Sequence, residues 1–195
     1  MYWLRKRLLS QNFLTNRQLV QQLIRDSSIG KQDLVLEIGP GHGIITHELA
    51  RAARQVEATE LDPKLYQSLV QHFHGYKNLK LSCGDFLKQP LPSLPYKIFS
   101  NIPFRFTGEI LRKLLYSPNP PKDCYLIVQL EAADKYIIHP KNNTMASILL
   151  QPWWDTKIVH SFSRSDFSPK PNVDCVLLQI QPRSTPLWLG SREIY

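Results

Sequence analysis

Ser100-Asn101-Ile102-Pro103-Phe104 is the stretch with the clearest chemical content. It follows a short apolar run, Tyr96-Lys97-Ile98-Phe99, that reads as a strand, and it precedes Phe106 to Leu111, which reads as a helix. Proline fixes its own φ and pushes the preceding residue, Ile102, towards an extended conformation. The Asn101 side-chain oxygen and the Ile102 carbonyl can then converge, with the Phe104 ring beside them. Two convergent acceptors next to an aromatic face suit an exocyclic amino group on a flat base. The alternative is an ordinary turn after a strand, where Asn and Pro are common.

Other residues gain meaning from the elements that position them. Leu34 to Ile38 reads as a strand, Gly39-Pro40-Gly41-His42-Gly43 as a glycine-rich turn, and Ile44 to Ala53 as a helix. Strand, glycine turn and helix form a nucleotide-binding context, because glycines admit a ligand close to the backbone and the helix N-terminus favours its anionic group. A second strand, Val56 to Thr59, ends in Glu60-Leu61-Asp62. An acid at that point can grip a ribose diol, or it is a solvated loop residue. Asp85, after a third strand over Leu79 to Ser82, can accept an adenine amino hydrogen or simply form a turn. Phe167 lies between two late strands, Lys157 to Val159 and Val173 to Ile180, in a loop stiffened by Pro169 and Pro171. It is either presented in a fixed direction or tucked into the core.

Helices are also expected after Asn16, from Pro63, over Ile110 to Leu115, over Glu131 to Ile138 and over Met145 to Leu150. A further buried strand is expected at Tyr125 to Val128. The alternation predicts an α/β fold with one sheet and helices on both faces. The 195 residues suffice for one domain, and the net charge of +8 favours an acidic partner such as nucleic acid. Arg5-Lys6-Arg7 concentrates charge near the start. No apolar run approaches a membrane span. Cys83, Cys124 and Cys175 have no metal-ligand spacing and read as small buried hydrophobes in a reducing compartment.

The residues resemble the ribosomal RNA adenine N6-methyltransferases, specifically the Erm group that confers macrolide, lincosamide and streptogramin B resistance. The resemblance spans about residues 8 to 185. It rests on Gln11-Asn12-Phe13-Leu14, Glu37 to Gly43, Glu60-Leu61-Asp62, Gly84-Asp85-Phe86, Asn101 to Phe104 and Phe167 to Asp174. It implies a class I, Rossmann-like methyltransferase fold with a mostly parallel seven-stranded sheet, binding S-adenosylmethionine. Asn12, Leu14 and Gly39, with Gly41, would then line the methionine end. Glu60 would hold the ribose beside Leu61, and Asp85 and Phe86 the adenine. Asn101 would serve both cofactor and target amine, with Ile102 and Pro103 completing the motif. Phe104 and Phe167 would sandwich the target adenine.

The implied partner is ribosomal RNA, with 23S favoured. The sister KsgA group, which modifies small-subunit RNA, usually carries Leu and Tyr where Ile102 and Phe104 stand. A KsgA-type enzyme and a non-catalytic RNA-binding relative are the alternatives. A nicotinamide oxidoreductase could use the glycine turn and Glu60, but leaves Asn101 to Phe104 unexplained. The expected organisation is a catalytic domain over residues 1–185 with a basic arm at 1–10, then the start of a truncated helical domain at 186–195. A cytoplasmic monomer without metal or membrane attachment is expected.

Overall fold

The computed structural model describes residues 12–187. The chain opens with β1 (Phe13–Leu14) and α1 (Arg17–Asp26), whose first turn is capped by the Asn16 side chain accepting from the Leu19 amide. β2 (Leu34–Ile38), α2 (Ile44–Ala52), β3 (Gln55–Glu60), α3 (Pro63–His72) and β4 (Leu79–Cys83) follow. Pro63 stands in the first turn of α3, where its missing N–H costs nothing. The second half comprises β5 (Lys97–Asn101), α4 (Thr107–Leu115), β6 (Cys124–Gln129), α5 (Leu130–Asp134), α6 (Met145–Leu150), β7 (Trp154–Phe162), β8 (Phe167–Ser168) and β9 (Cys175–Pro182).

Seven strands form one sheet in the order β4-β3-β2-β5-β6-β9-β7. The first five run parallel, and β9 lies antiparallel to both β6 and β7. Ile110, Leu111, Leu114 and Leu115 of α4 pack on one face, against Leu36, Ile98, Leu126 and Leu178. Val20, Leu23 and Ile24 of α1, with Ile45 and Leu49 of α2, pack on the other, against Val35, Val56, Phe99 and Ile127. This is the expected mostly parallel seven-stranded sheet with helices on both faces.

Three expectations change, and one pairing is new. The helix expected to reach Ile138 stops at Asp134, because Tyr136 turns onto the core and its carbonyl accepts from the Thr156 hydroxyl at 2.8 Å. β7 runs nine residues rather than three, since a register shift between Ile158 and His160 breaks the alternation that marks a strand in sequence. Phe13 and Leu14 pair antiparallel with Ser168 and Phe167 in a two-stranded ladder. Cys124 and Cys175 are buried, but Cys83 is exposed at the end of an edge strand. The expected arm at residues 1–10 and most of the segment 186–195 lie outside the described residues.

The sheet changes direction at β2. The chain proceeds from β2 to β3 and β4 on one side, then returns to place β5 on the other. A crevice at the carboxyl ends of the strands follows from such a reversal. Backbone pairing between β2 and β5 is seen at Val35–Lys97 and Leu36–Ile98. Beyond it the buried Ser100 hydroxyl takes over, donating to the Ile38 carbonyl and accepting from the Ile38 amide at 3.1 Å. One side chain thus fixes the strand exit before Asn101 against the strand exit before the glycine turn.

Glu37 interrupts the otherwise apolar β2. It is 2% exposed and neither carboxyl oxygen has a well-formed hydrogen bond. Burial pushes its carboxyl up to about 8, the Thr46 hydroxyl in α2 opposing and nearby Glu60 adding to the shift. Between the ordinary value of 4.5 and about 8 the unfolded chain releases this proton while the folded chain keeps it. This contribution to stability is therefore greatest below pH 4.5 and declines as pH rises to about 8, with a slope of up to about 1.4 kcal/mol per pH unit. Glu37→Gln should remove that slope. Urea unfolding midpoints from pH 5 to pH 8 measure it, and identical pH dependence in parent and variant would contradict the assignment.

Candidate active site

A cleft at the carboxyl ends of β2 and β5 is lined by Asn12, Phe13, Gly39, Asn101, Ile102, Pro103 and Phe104. Three segments separated by tens of residues meet there. The Asn101 amide is what joins the first to the last: Nδ2 donates to the Asn12 carbonyl at 2.7 Å. A carbonyl accepts only from the NH₂ end of an amide, so this contact settles which way the side chain points. Asn101 Oδ1 is thereby directed away from Asn12, as an acceptor for a different partner. Pro103, at φ −62°, holds the neighbouring carbonyl, and Thr107 Oγ1 donates to the Phe104 carbonyl at 2.8 Å as α4 begins.

The glycine turn is held by Glu60. Its Oε2 accepts from the Gly41 amide and its Oε1 from the Asp62 amide, each at 2.9 Å. Glu60 is 1% exposed, more enclosed than a solvated loop acid. Each carboxylate oxygen keeps a further lone pair, so the group can both brace the turn and accept from a diol. Leu61 beside it is 44% exposed and offers an apolar surface at the strand end. Gly43 adopts a left-handed φ of 84°, and α2 starts without a side-chain cap.

The residues fit S-adenosylmethionine. Gly39 has φ +67°, and a Cβ built on it would meet nothing within 4 Å. The space above it is what a side chain would fill and a ligand can use. Gly41 differs, because a Cβ there would come within 2.6 Å of the Phe13 ring. Gly41 therefore serves close packing of β1 over the turn, with its amide spent on Glu60, rather than ligand approach. Asp85 caps the short 3-10 turn Phe86–Lys88, its Oδ1 accepting from the Leu87 amide at 2.9 Å. Phe86 is half-buried beside it. Leu14 is buried in β1.

Phe167 departs from the expected sandwich. It is 3% exposed, pairs with Leu14 and packs edge-on against Phe162 at 5.4 Å between ring centroids. Its ring is committed to the core in this conformation, as the tucked-in alternative anticipates. Phe104 is half-buried against the same cluster and keeps an accessible part. Two residues of the site escaped sequence reasoning as individuals. Ser100 couples the strand exits, and Phe13, whose ring lies tilted against His42 at 4.4 Å between centroids, roofs the glycine turn. Alternation within Gln11 to Leu14 is too short to reveal that roof.

Among the described residues no cluster of His, Cys, Asp or Glu is placed to hold a metal ion, and no helix is long and apolar enough to cross a membrane.

Comparison with known proteins bears on this geometry. A model of the ribosomal RNA adenine dimethylase family matches residues 4–191. The chain is 34% identical over 193 residues to a ribosomal RNA small subunit methyltransferase A of Streptococcus thermophilus, covering 93% of this chain and 67% of that protein. A Listeria monocytogenes protein of the same name is 32% identical over 194 residues, covering 93% and 66%. The chain thus spans about two thirds of the length of these relatives. The 23S rRNA methyltransferase ErmE superposes with a TM-score of 0.85 at 31% identity, covering 92% of this chain and 73% of that one. A dimethyladenosine transferase from Plasmodium falciparum superposes at 0.79 with 26% identity, covering 88% and 63%.

Glu60→Ala should free both amides that it holds and weaken S-adenosylhomocysteine binding about tenfold or more, since hydrogen bonds to a charged group contribute roughly 1.5–3 kcal/mol. Isothermal titration of parent and variant measures this. Unchanged affinity would show that the turn holds itself.

Proposed function

This chain belongs to the ribosomal RNA adenine dimethylase family of S-adenosylmethionine-dependent methyltransferases, and on that premise we propose that it methylates the exocyclic N6 of an adenine in small-subunit ribosomal RNA. The observation that carries the chemistry is the orientation of the Asn101 amide. With Nδ2 on the Asn12 carbonyl, Oδ1 is the acceptor left for the target amine.

The adenine amino nitrogen is a poor nucleophile because its lone pair is conjugated into the ring. Acceptance of its two N–H bonds by Asn101 Oδ1 and the Ile102 carbonyl favours a more tetrahedral nitrogen, with the lone pair freed for attack. The cofactor, when bound, supplies a methyl group activated on a sulfonium. Placed acceptors and positioning lower the barrier, and no strong general base is required, because the methylated ammonium is acidic and sheds its proton afterwards. Phe104 offers the stacking face for an unstacked base, with the Phe167 ring buried in the core. The net charge of +8 attracts the RNA backbone.

Small-subunit RNA is favoured because the curated relatives cited above carry that name. A large-subunit target with a resistance role is the second reading. The superposition on ErmE and the pair Ile102 and Phe104 support it. Methyl transfer to purified small- and large-subunit precursors separates the two. Label is expected chiefly in small-subunit RNA, in base-stable N6-methylated adenosine. Label confined to large-subunit RNA would contradict the proposal.

Asn101→Ala should lower kcat by about 10²–10³, as does removal of one preorganised hydrogen-bonding group from an active site. Cofactor affinity should fall far less, through the lost contact to Asn12. Single-turnover methylation and cofactor titration read the two effects. A variant with parental turnover would contradict the role.

A further inference from the structure

The turn that carries Asp85 and Phe86 rests on the core only in part, through the half-buried side chains of Phe86 and Leu87. The chain crosses from β4 to β5 without an α-helix, and a cavity of about 530 Å³ lies between this crossing and the sheet, lined by Leu34, Leu36, Glu57, Thr59, Gln89 and Leu91 among others. Polar contacts add to that packing. The Gly84 amide donates to the Glu60 carbonyl at 2.8 Å, and the Thr59 hydroxyl donates to Gln89 Oε1 at 2.8 Å. A further attachment comes from α4. Lys113 Nζ donates to the Leu87 carbonyl at 3.0 Å and to the Gln89 carbonyl, and it lies 5.1 Å from the centroid of the Phe86 ring.

These carbonyls end a helical turn, where acceptors lack partners within the segment and a cation is favoured. The Phe86 ring adds a cation–π contact. Burial lowers the Lys113 pKa while the charge of Asp85 opposes that shift. The ammonium is thus held by two carbonyls and one ring face, all from the five-residue turn Asp85–Gln89. The opposite end of α4 continues directly from Phe104.

We propose that Lys113 is a positioning residue that locks the turn Asp85–Gln89 onto α4 and so sets the aim of the Asp85 carboxylate at the 6-amino edge of the cofactor adenine. The proposal rests on the reading that Asp85 and Phe86 receive that adenine. Asp85 Oδ1 is spent on the Leu87 amide, so the direction of Oδ2 follows the turn as a rigid unit. Loss of the Lys113 anchor lets the turn settle towards the cavity, and recognition of the amino group suffers before general binding does.

Calorimetric titrations with S-adenosylhomocysteine and with its 6-oxo analogue S-inosylhomocysteine test this on the full chain. The parent should prefer the adenine compound. Lys113→Met keeps the aliphatic stem and removes every donor. It should weaken S-adenosylhomocysteine about tenfold, the scale of one charge-assisted hydrogen bond, and leave the 6-oxo compound nearly unchanged. Lys113→Arg should restore most of the preference. Lys113→Gln, which keeps a neutral donor, should fall between and replaces the Met variant if that chain does not fold. A parental preference ratio in the Met or Gln variant overturns the proposal, as does an equal loss for both compounds, the mark of general loosening. A parent that binds the two compounds alike removes the underlying adenine reading, and the role of Lys113 with it.

Discussion

The hydrogen bond from Asn101 Nδ2 to the Asn12 carbonyl is the contact on which the site depends. It spans 89 residues of sequence and ties the chain before β1 to the exit of β5. It also decides the polarity of an amide whose two ends are nearly alike in shape. Reversed, Asn101 would present donors to an amine that already has two hydrogens to give, and repulsion would replace recognition. Everything around it keeps this one orientation. The β1–β8 ladder holds Asn12 in place, Ser100 locks β5 to β2, and Pro103 restricts Ile102 before it.

The glycine turn is built on the complementary logic of charge. Glu60 brings a carboxylate to the end of β3 and spends one lone pair of each oxygen on turn amides. A second carboxylate, Glu37, lies near it under α2, and burial keeps this one protonated at neutral pH. A neutral Glu37 adds no second negative charge beside Glu60.

How far the sequence announced this depends on the signal each element leaves. The run Leu34 to Gly43 is legible because apolar residues give way abruptly to three glycines and then to helical spacing. Asn101 to Phe104 is legible because a proline and an aromatic stand at a strand exit. Both depend on neighbours in sequence. What escaped depends on distant partners: Leu14 opposite Phe167, Thr156 on the Tyr136 carbonyl, Lys113 on the Leu87 carbonyl. Two-residue strands carry no periodicity, and a lysine on a helix looks the same whether it points to water or to a carbonyl. Phe167 shows the limit most clearly. Its proline-stiffened loop is evident from sequence, but which way the ring turns is set by Phe162 and Leu14.

The central claim is the polarity of Asn101, and side-chain amide NMR tests it without any substrate. In protein labelled with ¹⁵N and ¹³C, the account predicts that one Asn101 Nδ2 proton is protected from exchange and shows a through-hydrogen-bond coupling to the Asn12 carbonyl carbon. Two freely exchanging Nδ2 protons with no such coupling would contradict it, because nothing would then hold Oδ1 towards the target amine.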